Sequence, residues 1–137
     1  MTGLKIDRSF FRLPHYLDSV TIYHMNAERH TQWLRGVLDL CVLAALKDGE
    51  RYGYELAQQL LESGLGQIKG GTLYPLLARL EKAGHVSTEW RQGNQGPGRK
   101  YYFLTASGKT HLQYQSENWK EFSSLVGKML PPKGKGK

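Results

Sequence analysis

The chain has 137 residues and a formal net charge of +7, from 19 Lys and Arg against 12 Asp and Glu. Its length suits one domain, and its charge favours a polyanionic partner, although several lysines belong to the terminal run Pro131–Lys137. Cys41 is the only cysteine, which excludes an internal disulfide framework and a cysteine-based metal site and agrees with a reducing, cytoplasmic setting.

The first 24 residues mix apolar and charged side chains. Lys5, Asp7 and Arg8 are among the charges that leave no apolar run long enough for a membrane helix or a secretory signal. We expect residues 1–24 to be an N-terminal extension. It would be a remnant of expression, an extended start, or a short arm that packs on a partner subunit.

Two helices are predicted next. From Leu34 to Leu46 the sequence is apolar nearly all round, which indicates burial among several partners. On this helix, Cys41 is expected to be a small buried residue rather than a redox sensor. A second helix is predicted over Tyr52–Leu61. The hydroxyl of Tyr52 or Tyr54 could donate to a phosphate; the alternative for at least one of them is half-buried packing.

The segment Gly70–Gly84 predicts a third helix with one apolar face. Its leucines, at positions 73, 76, 77 and 80, recur at helical spacing and are expected to face the core. Thr72 is placed to cap the helix, and Pro75 falls in the first turn, where no backbone N–H is needed. Gly84 suits the position just past the end of the helix.

The opposite face of this third helix is slim near its start and basic further along. A helix that enters the major groove of DNA needs a slim profile, donors for phosphates and bases, and free N–H groups at its N-terminus. The alternative is an ordinary amphipathic surface helix. The residues on this face are Tyr74, Pro75, Ala78, Arg79 and Lys82.

A hairpin follows the third helix. His85–Gln92 alternates, with Val86, Thr88 and Trp90 on one side, and Lys100–Leu104 is rich in aromatic residues, so both predict strands. The glycine-rich stretch between them predicts a turn. Basic residues at the base of the hairpin could contact phosphates, or they could simply be solvated. They are Arg91, Arg99 and Lys100.

The order of two helices, a basic-faced helix and a basic hairpin is typical of a winged helix-turn-helix. In that fold the third helix reads the groove and the wing reaches adjacent phosphates. We therefore predict a mainly α fold with a small β-hairpin over residues 25–104.

A long last helix is predicted from the capping residue Thr105 to Leu130. Apolar residues along it repeat with a spacing of seven and an alternate seam position, and such a stripe has to be covered. A second copy would cover it by two-fold symmetry, and packing within the chain would cover part of it. We expect residues 105–130 to be a dimerisation helix and residues 131–137 a disordered basic tail. The stripe consists of Leu112, Trp119, Phe122, Val126 and Met129.

Several blocks of the sequence resemble the PadR family of bacterial transcriptional regulators. They are Tyr52–Leu56, Gly71–Pro75, Arg79–Glu81, Gly98–Tyr102 and Leu104–Thr105, and the resemblance extends from about Leu34 to about Met129. It implies a dimeric winged-helix repressor that binds a pseudo-palindromic operator. It also implies groove and phosphate contacts from Thr72, Tyr74, Pro75 and Arg79, with Arg99 and Lys100 serving the wing.

The same resemblance bears on Trp119. In multidrug-sensing PadR proteins a tryptophan near the middle of the last helix lines a cavity at the dimer centre that stacks flat aromatic compounds. Trp119 occupies the matching place and would either contact such an effector or simply pack in the interface. The other candidates for this cavity are Leu38, Phe122 and Val126.

These observations predict a DNA-binding regulator, with no catalytic residues, metal ligands or cofactor. The alternative is a winged-helix module that binds another protein and does not read DNA, whereas RNA binding lacks a stacking sheet motif. The predicted DNA contacts are Tyr54, Thr72, Tyr74, Pro75, Arg79, Lys82, Arg91, Arg99 and Lys100. The predicted dimer-interface or ligand residues are Leu38, Leu112, Trp119, Phe122, Val126 and Met129.

Overall fold

The computed structural model describes residues 19–93 and 96–134, with side chains from residue 26 onward. The chain divides into two compact units, residues 1–36 and 37–137. The first unit contains helix α1 (Ser19–Arg35). Most of the predicted N-terminal extension lies outside the described residues, as do the last three residues of the predicted tail. No helix in the described part of the chain is long and apolar enough to cross a membrane.

The second unit begins with two short helices, α2 (Leu38–Ala45) and α3 (Gly53–Leu60). The prediction of one continuous helix from Leu34 was wrong, because the chain leaves helical geometry at Val37, whose φ is −132°. Apolar residues continue across this break, so periodicity could not reveal it. Helix α3 passes into a wide turn, Leu61–Leu65, where the sequence predicted it to stop.

The N-cap of the reading-helix candidate α4 (Gly70–Lys82) lies three residues earlier than predicted. Lys69 is its N-cap residue, and its carbonyl accepts the N–H groups of Thr72 and Leu73 at 2.9 Å each. Thr72 is therefore inside the helix and does not cap it. The prediction that Pro75 lies in the first turn was wrong, because the earlier start puts it in the second turn, where it has no N–H to donate to the carbonyl of Gly71.

The C-terminus of α4 ends as predicted. Gly84 has a φ of +85°, its N–H donates to the Glu81 carbonyl, and the His85 N–H donates to the Leu80 carbonyl, both at 3.0 Å. This pair of bonds is a Schellman motif, which satisfies two carbonyls at the end of the helix. Its sharp reversal of the chain leads directly into the first strand of the wing.

The sheet has three antiparallel strands, one more than predicted: β1 (Arg51–Tyr52), β2 (Val86–Arg91) and β3 (Arg99–Leu104), in the order β1-β3-β2. Strands β2 and β3 form the predicted hairpin, with Val86 opposite Leu104 and Arg91 opposite Arg99. Strand β1 (Arg51–Tyr52) pairs with the middle of β3. Two residues are too few to show an alternating pattern, so β1 carried no sequence signal.

The core lies between the three helices and the sheet. The predicted apolar face of α4 is buried at all four leucines, and α4 packs with α3 and β2. Among the most deeply buried side chains are Val42, Leu43, Leu56, Leu60, Leu73, Leu77 and Val86. This core fixes which face of α4 points outward.

The long helix α5 (Ala106–Met129) is joined tightly to the end of α4. The Thr105 hydroxyl accepts the Gly108 N–H at 2.9 Å, which confirms the predicted cap, and donates to the Gly84 carbonyl at 2.7 Å. The Thr105 N–H also donates to the His85 carbonyl at 3.2 Å. We call the set Gly84, His85, Thr105 and Gly108 the junction.

Gly108 is required at the junction because any Cβ there would overlap the His85 carbonyl oxygen, a backbone atom. We expect Gly108→Ala to lower the free energy of unfolding by about 1–3 kcal/mol, the range for overpacking. Gly127→Ala, on the same helix with no atom within 4 Å of its added Cβ, is expected to raise it by up to about 1 kcal/mol. Thermal or urea unfolding of both variants measures the contrast. Equal stability of the two would contradict the close approach.

Candidate nucleic-acid interface

The outward face of α4 is exposed along its length and basic toward its C-terminal half. Thr72, Tyr74, Pro75, Arg79 and Lys82 are all exposed, as predicted from the leucine spacing. Within residues 19–93 and 96–134, no carboxylate lies within 4.0 Å of the Arg79 or Lys82 cation. Both cations are therefore available to an anion from outside the protein.

Tyr74 is held by the backbone of α3. Its side chain covers Gly53, the first residue of that helix, so closely that an added Cβ at Gly53 would overlap the phenol ring. Even so, Tyr74 is 50% exposed. The ring is thus fixed on one side and open to solvent on the other, at the point where the start of α3 meets α4.

The two tyrosines at the start of α3 have different environments. Tyr52 makes an edge-on contact with the Tyr101 ring, with 5.5 Å between centroids, and is half-buried. Tyr54 is 64% exposed and lies parallel to Tyr52 at 6.4 Å. The packed alternative therefore describes Tyr52, and Tyr54 has the accessible ring.

The three basic residues at the base of the wing also differ from one another. Arg91 donates to carboxylates of Glu50 and Glu89 and lies 4.5 Å from the centre of the Tyr101 ring. Its hydrogen bond to Glu50 raises the pKa of Arg91 and lowers that of Glu50. Both side chains are partly exposed, so solvent weakens the pair.

Lys100 and Arg99 complete this set. The Lys100 ammonium lies 3.9 Å from a Glu81 carboxylate oxygen. Arg99 is exposed, with its guanidinium 4.4 Å from the centre of the Tyr52 ring. In the part of the chain that the structure describes, Arg99 has no carboxylate within ion-pair distance.

The apolar stripe of α5 is mostly uncovered in the single chain. Trp119, Phe122, Val126 and Met129 are exposed, Trp119 by 44% and Met129 by 84%, while Leu112 is half-buried. Leu38 differs, because this first residue of α2 is buried in the hydrophobic core, with 6% exposure, and is not part of the exposed stripe. Tyr114, Leu125 and Leu130 extend the apolar exposure of the helix beyond the predicted stripe.

Sequence reasoning missed Trp90, Glu50 and Glu81. Alternation placed Trp90 beside the buried Val86, but β2 extends past the core and leaves Trp90 69% exposed. Nothing in the sequence signals that Glu50 and Glu81 pair with wing cations, because each partner is distant along the chain.

Cys41 and the described histidines form no second site. Burial, reinforced by Asp39, raises the pKa of the Cys41 thiol and so disfavours the reactive thiolate. His85 and His111 stack at 4.0 Å; burial of His85, followed by the repulsion from His111, lowers the pKa of His85. Among the described residues, no group of three His, Cys, Asp or Glu side chains could hold a metal ion.

Comparison with known proteins decides the family. The PadR-like transcriptional regulator family matches residues 42–114, from the core of α2 to the first turns of α5. The chain belongs to the PadR-like family. The resemblance predicted from the motifs is therefore confirmed. PadR-like proteins are transcriptional regulators rather than enzymes, so this chain is a DNA-binding regulator, as predicted.

Individual relatives agree with this assignment. A protein of Lysinibacillus sphaericus is 34% identical over 95 residues, covering 68% of this chain and 87% of that protein. A PadR family regulator from Eggerthella lenta is 32% identical with a TM-score of 0.73, covering 84% of this chain and 100% of the other. A PadR-like regulator from Bacillus cereus is 34% identical with a TM-score of 0.66, covering 74% and 99%. The predicted PadR-like winged-helix fold is thus confirmed.

The contact between Gly53 and Tyr74 allows a direct test of the Tyr74 position in this PadR-like chain. We expect Gly53→Ala to push the Tyr74 ring aside and to weaken duplex binding about threefold or more, while stability changes by under about 1 kcal/mol because a side chain can rotate away. In a Tyr74→Ala background the same substitution should leave duplex affinity unchanged. Fluorescence anisotropy with a labelled DNA duplex measures this cycle. An equal loss in both backgrounds would contradict the proposed route through Tyr74.

Proposed function

We propose that the protein is a repressor that binds a pseudo-palindromic operator as a homodimer. The observation that carries this proposal is the face of α4, where exposed Arg79 and Lys82 have no carboxylate partner among the described residues while the leucines beneath are buried. Uncompensated cations on a slim helix are what a negatively charged groove attracts. The protein would act in the cytoplasm.

The proposed groove contacts follow from which side chains α4 exposes. Thr72 and Pro75, both short, lie near the N-terminus and would allow the helix to enter deeply, and Tyr74 would contact base edges or backbone. Arg79 and Lys82 would pair with phosphates further along the groove. Backbone N–H groups at the start of α4 would support a phosphate there.

Two further contacts are proposed outside α4. The exposed Tyr54 hydroxyl would donate to a phosphate beside the groove, and Arg99 would reach the backbone from the wing. Residues 25–104 would thus form the DNA-binding domain. In a two-fold dimer the two α4 helices would meet successive major grooves roughly 34 Å apart.

Salt dependence tests DNA reading. The plot of log K against log salt has a negative slope, and each phosphate contact adds about 0.9 to its magnitude. Arg79→Ala and Arg99→Ala should therefore each weaken duplex binding and reduce the magnitude of the slope by about 0.9. Lys120→Ala, an exposed lysine on α5, is the matched control and should change neither. Duplex titrations from low to high salt give the slopes. Indifference of the wild type to salt and to both arginines would instead support a protein-interaction module.

The proposed dimer uses the exposed stripe of α5. Residues 105–130 present Trp119, Phe122, Val126 and Met129 to solvent in the single chain, and a second copy would bury them by two-fold symmetry. Leu112 would lie at the start of this interface. Residues 131–137 would extend beyond it as a basic tail.

A charge on the stripe should break the dimer. We expect Phe122→Glu to give a monomer, because the buried carboxylate would lose its hydration without a partner. Ser124→Glu adds the same charge on the same helix away from the stripe and should leave the dimer intact. Sedimentation velocity at several concentrations separates the two outcomes. A Phe122→Glu protein that remains dimeric would place the interface elsewhere.

We also propose that a small aromatic ligand at Trp119 releases the DNA. The support is the accessible ring of Trp119 on a surface that the dimer would enclose. In a Trp33→Phe, Trp90→Phe protein, Trp119 is the remaining tryptophan. A matching planar aromatic compound should quench its emission and weaken operator binding together. Silence in both signals across a diverse panel would leave Trp119 as a packing residue.

A further inference from the structure

We propose that Glu50 and Glu81 hold the wing in place through Arg91 and Lys100, which are positioning residues, so that Arg99 is the cation at the wing base that meets phosphate. The assignment of Arg99 to phosphate rests on the proposed function. The structural basis of the inference is independent of DNA, because every contact involved lies within one protein chain.

Glu81 ties the wing to α4. One of its carboxylate oxygens accepts the Thr88 hydroxyl of β2 at 2.9 Å. The other oxygen lies 3.9 Å from the Lys100 ammonium of β3. A single side chain of the reading helix therefore engages both strands of the hairpin, which limits how far the wing can tilt from α4.

Glu50 ties the opposite side of the wing to the segment before β1. Its carboxylate accepts a hydrogen bond from one terminal guanidinium nitrogen of Arg91. The other terminal nitrogen donates to the Glu89 carboxylate at 3.1 Å. The face of the same guanidinium lies over the Tyr101 ring of β3. Arg91 is thus bound at both ends and along its face.

The local charge argues against a phosphate at Arg91. The single guanidinium of Arg91 lies between two carboxylates, Glu50 and Glu89, so its positive charge is already compensated within the chain. Arg99 lies directly opposite on β3 but has no carboxylate partner among the described residues. Of these two cross-strand neighbours, Arg91 would hold the wing in place and Arg99 would contact phosphate.

The sign of a carboxylate substitution tests this assignment. If Glu50 and Glu81 position the wing, Glu50→Gln and Glu81→Gln should each weaken duplex binding about threefold relative to Glu62→Gln, a control that makes the same charge change on an exposed turn. If Arg91 and Lys100 instead contact phosphates, freeing them should strengthen binding and steepen the salt slope. Stronger binding would overturn the proposal.

Arg91 itself has a distinguishing readout. We expect Arg91→Ala to weaken duplex binding without lowering the salt slope, because the lost cation does not displace counterions from DNA. Arg99→Ala should lower both. A slope reduced by about 0.9 in Arg91→Ala would make Arg91 a phosphate contact and overturn the proposal.

Hydrogen exchange of the DNA-free protein completes the test. Amides of Thr88–Arg91 and Arg99–Tyr101 should exchange faster in Glu50→Gln and Glu81→Gln than in Glu62→Gln, since an untied hairpin opens more often. Unchanged exchange would overturn the proposal whatever the affinities. If the wild type fails to bind any duplex, the proposed function fails, and the exchange rates still decide whether these carboxylates hold the wing.

Discussion

The junction between α4 and α5 is the constraint on which the rest of the structure depends. Thr105 bonds backward to the Gly84 and His85 carbonyls and forward to the Gly108 N–H, so one residue ends the sheet and begins the last helix. The close approach of Gly108 to the His85 carbonyl leaves no room for a side chain. Because the Schellman motif at Gly84 fixes the same point, the end of α4, the start of β2 and the start of α5 have one common geometry.

That geometry has a consequence for reading DNA. In the proposed dimer, α5 sets the distance between the two copies and α4 carries the groove contacts. A tilt of α5 would pass through the junction to α4 with little loss, because hydrogen bonds and a backbone contact connect them at close range. An effector that changes the α5 interface would therefore alter the spacing of the reading helices, which must match successive grooves.

The sequence was most informative where one physical rule acts locally. Leucine spacing predicted the buried face of α4, and the caps at Gly84 and Thr105 follow from backbone needs of neighbouring residues. It was least informative where the answer depends on distant parts of the chain. Strand β1 forms because it can pair with β3. Trp90 is exposed because β2 extends beyond the core. The carboxylate partner Glu50 comes next to Arg91 only in the folded chain. Local patterns therefore predicted the exposed and buried faces of α4 but not which wing cations are already paired.

A wing cation that is paired with a carboxylate adds less DNA affinity than an unpaired cation would. This loss can improve specificity, for a reason that lies in phosphate binding. Phosphate contacts are independent of sequence, so every free cation strengthens binding to wrong sites as much as to the operator. Specificity comes from base contacts, which need α4 at a defined depth and angle. A wing that Glu50 and Glu81 hold firmly, with Arg99 lacking a carboxylate partner among the described residues, would add little non-specific attraction while restricting how α4 can enter the groove. If so, the position of the carboxylates near the wing would bear on recognition in a way that the formal charge of +7 does not express.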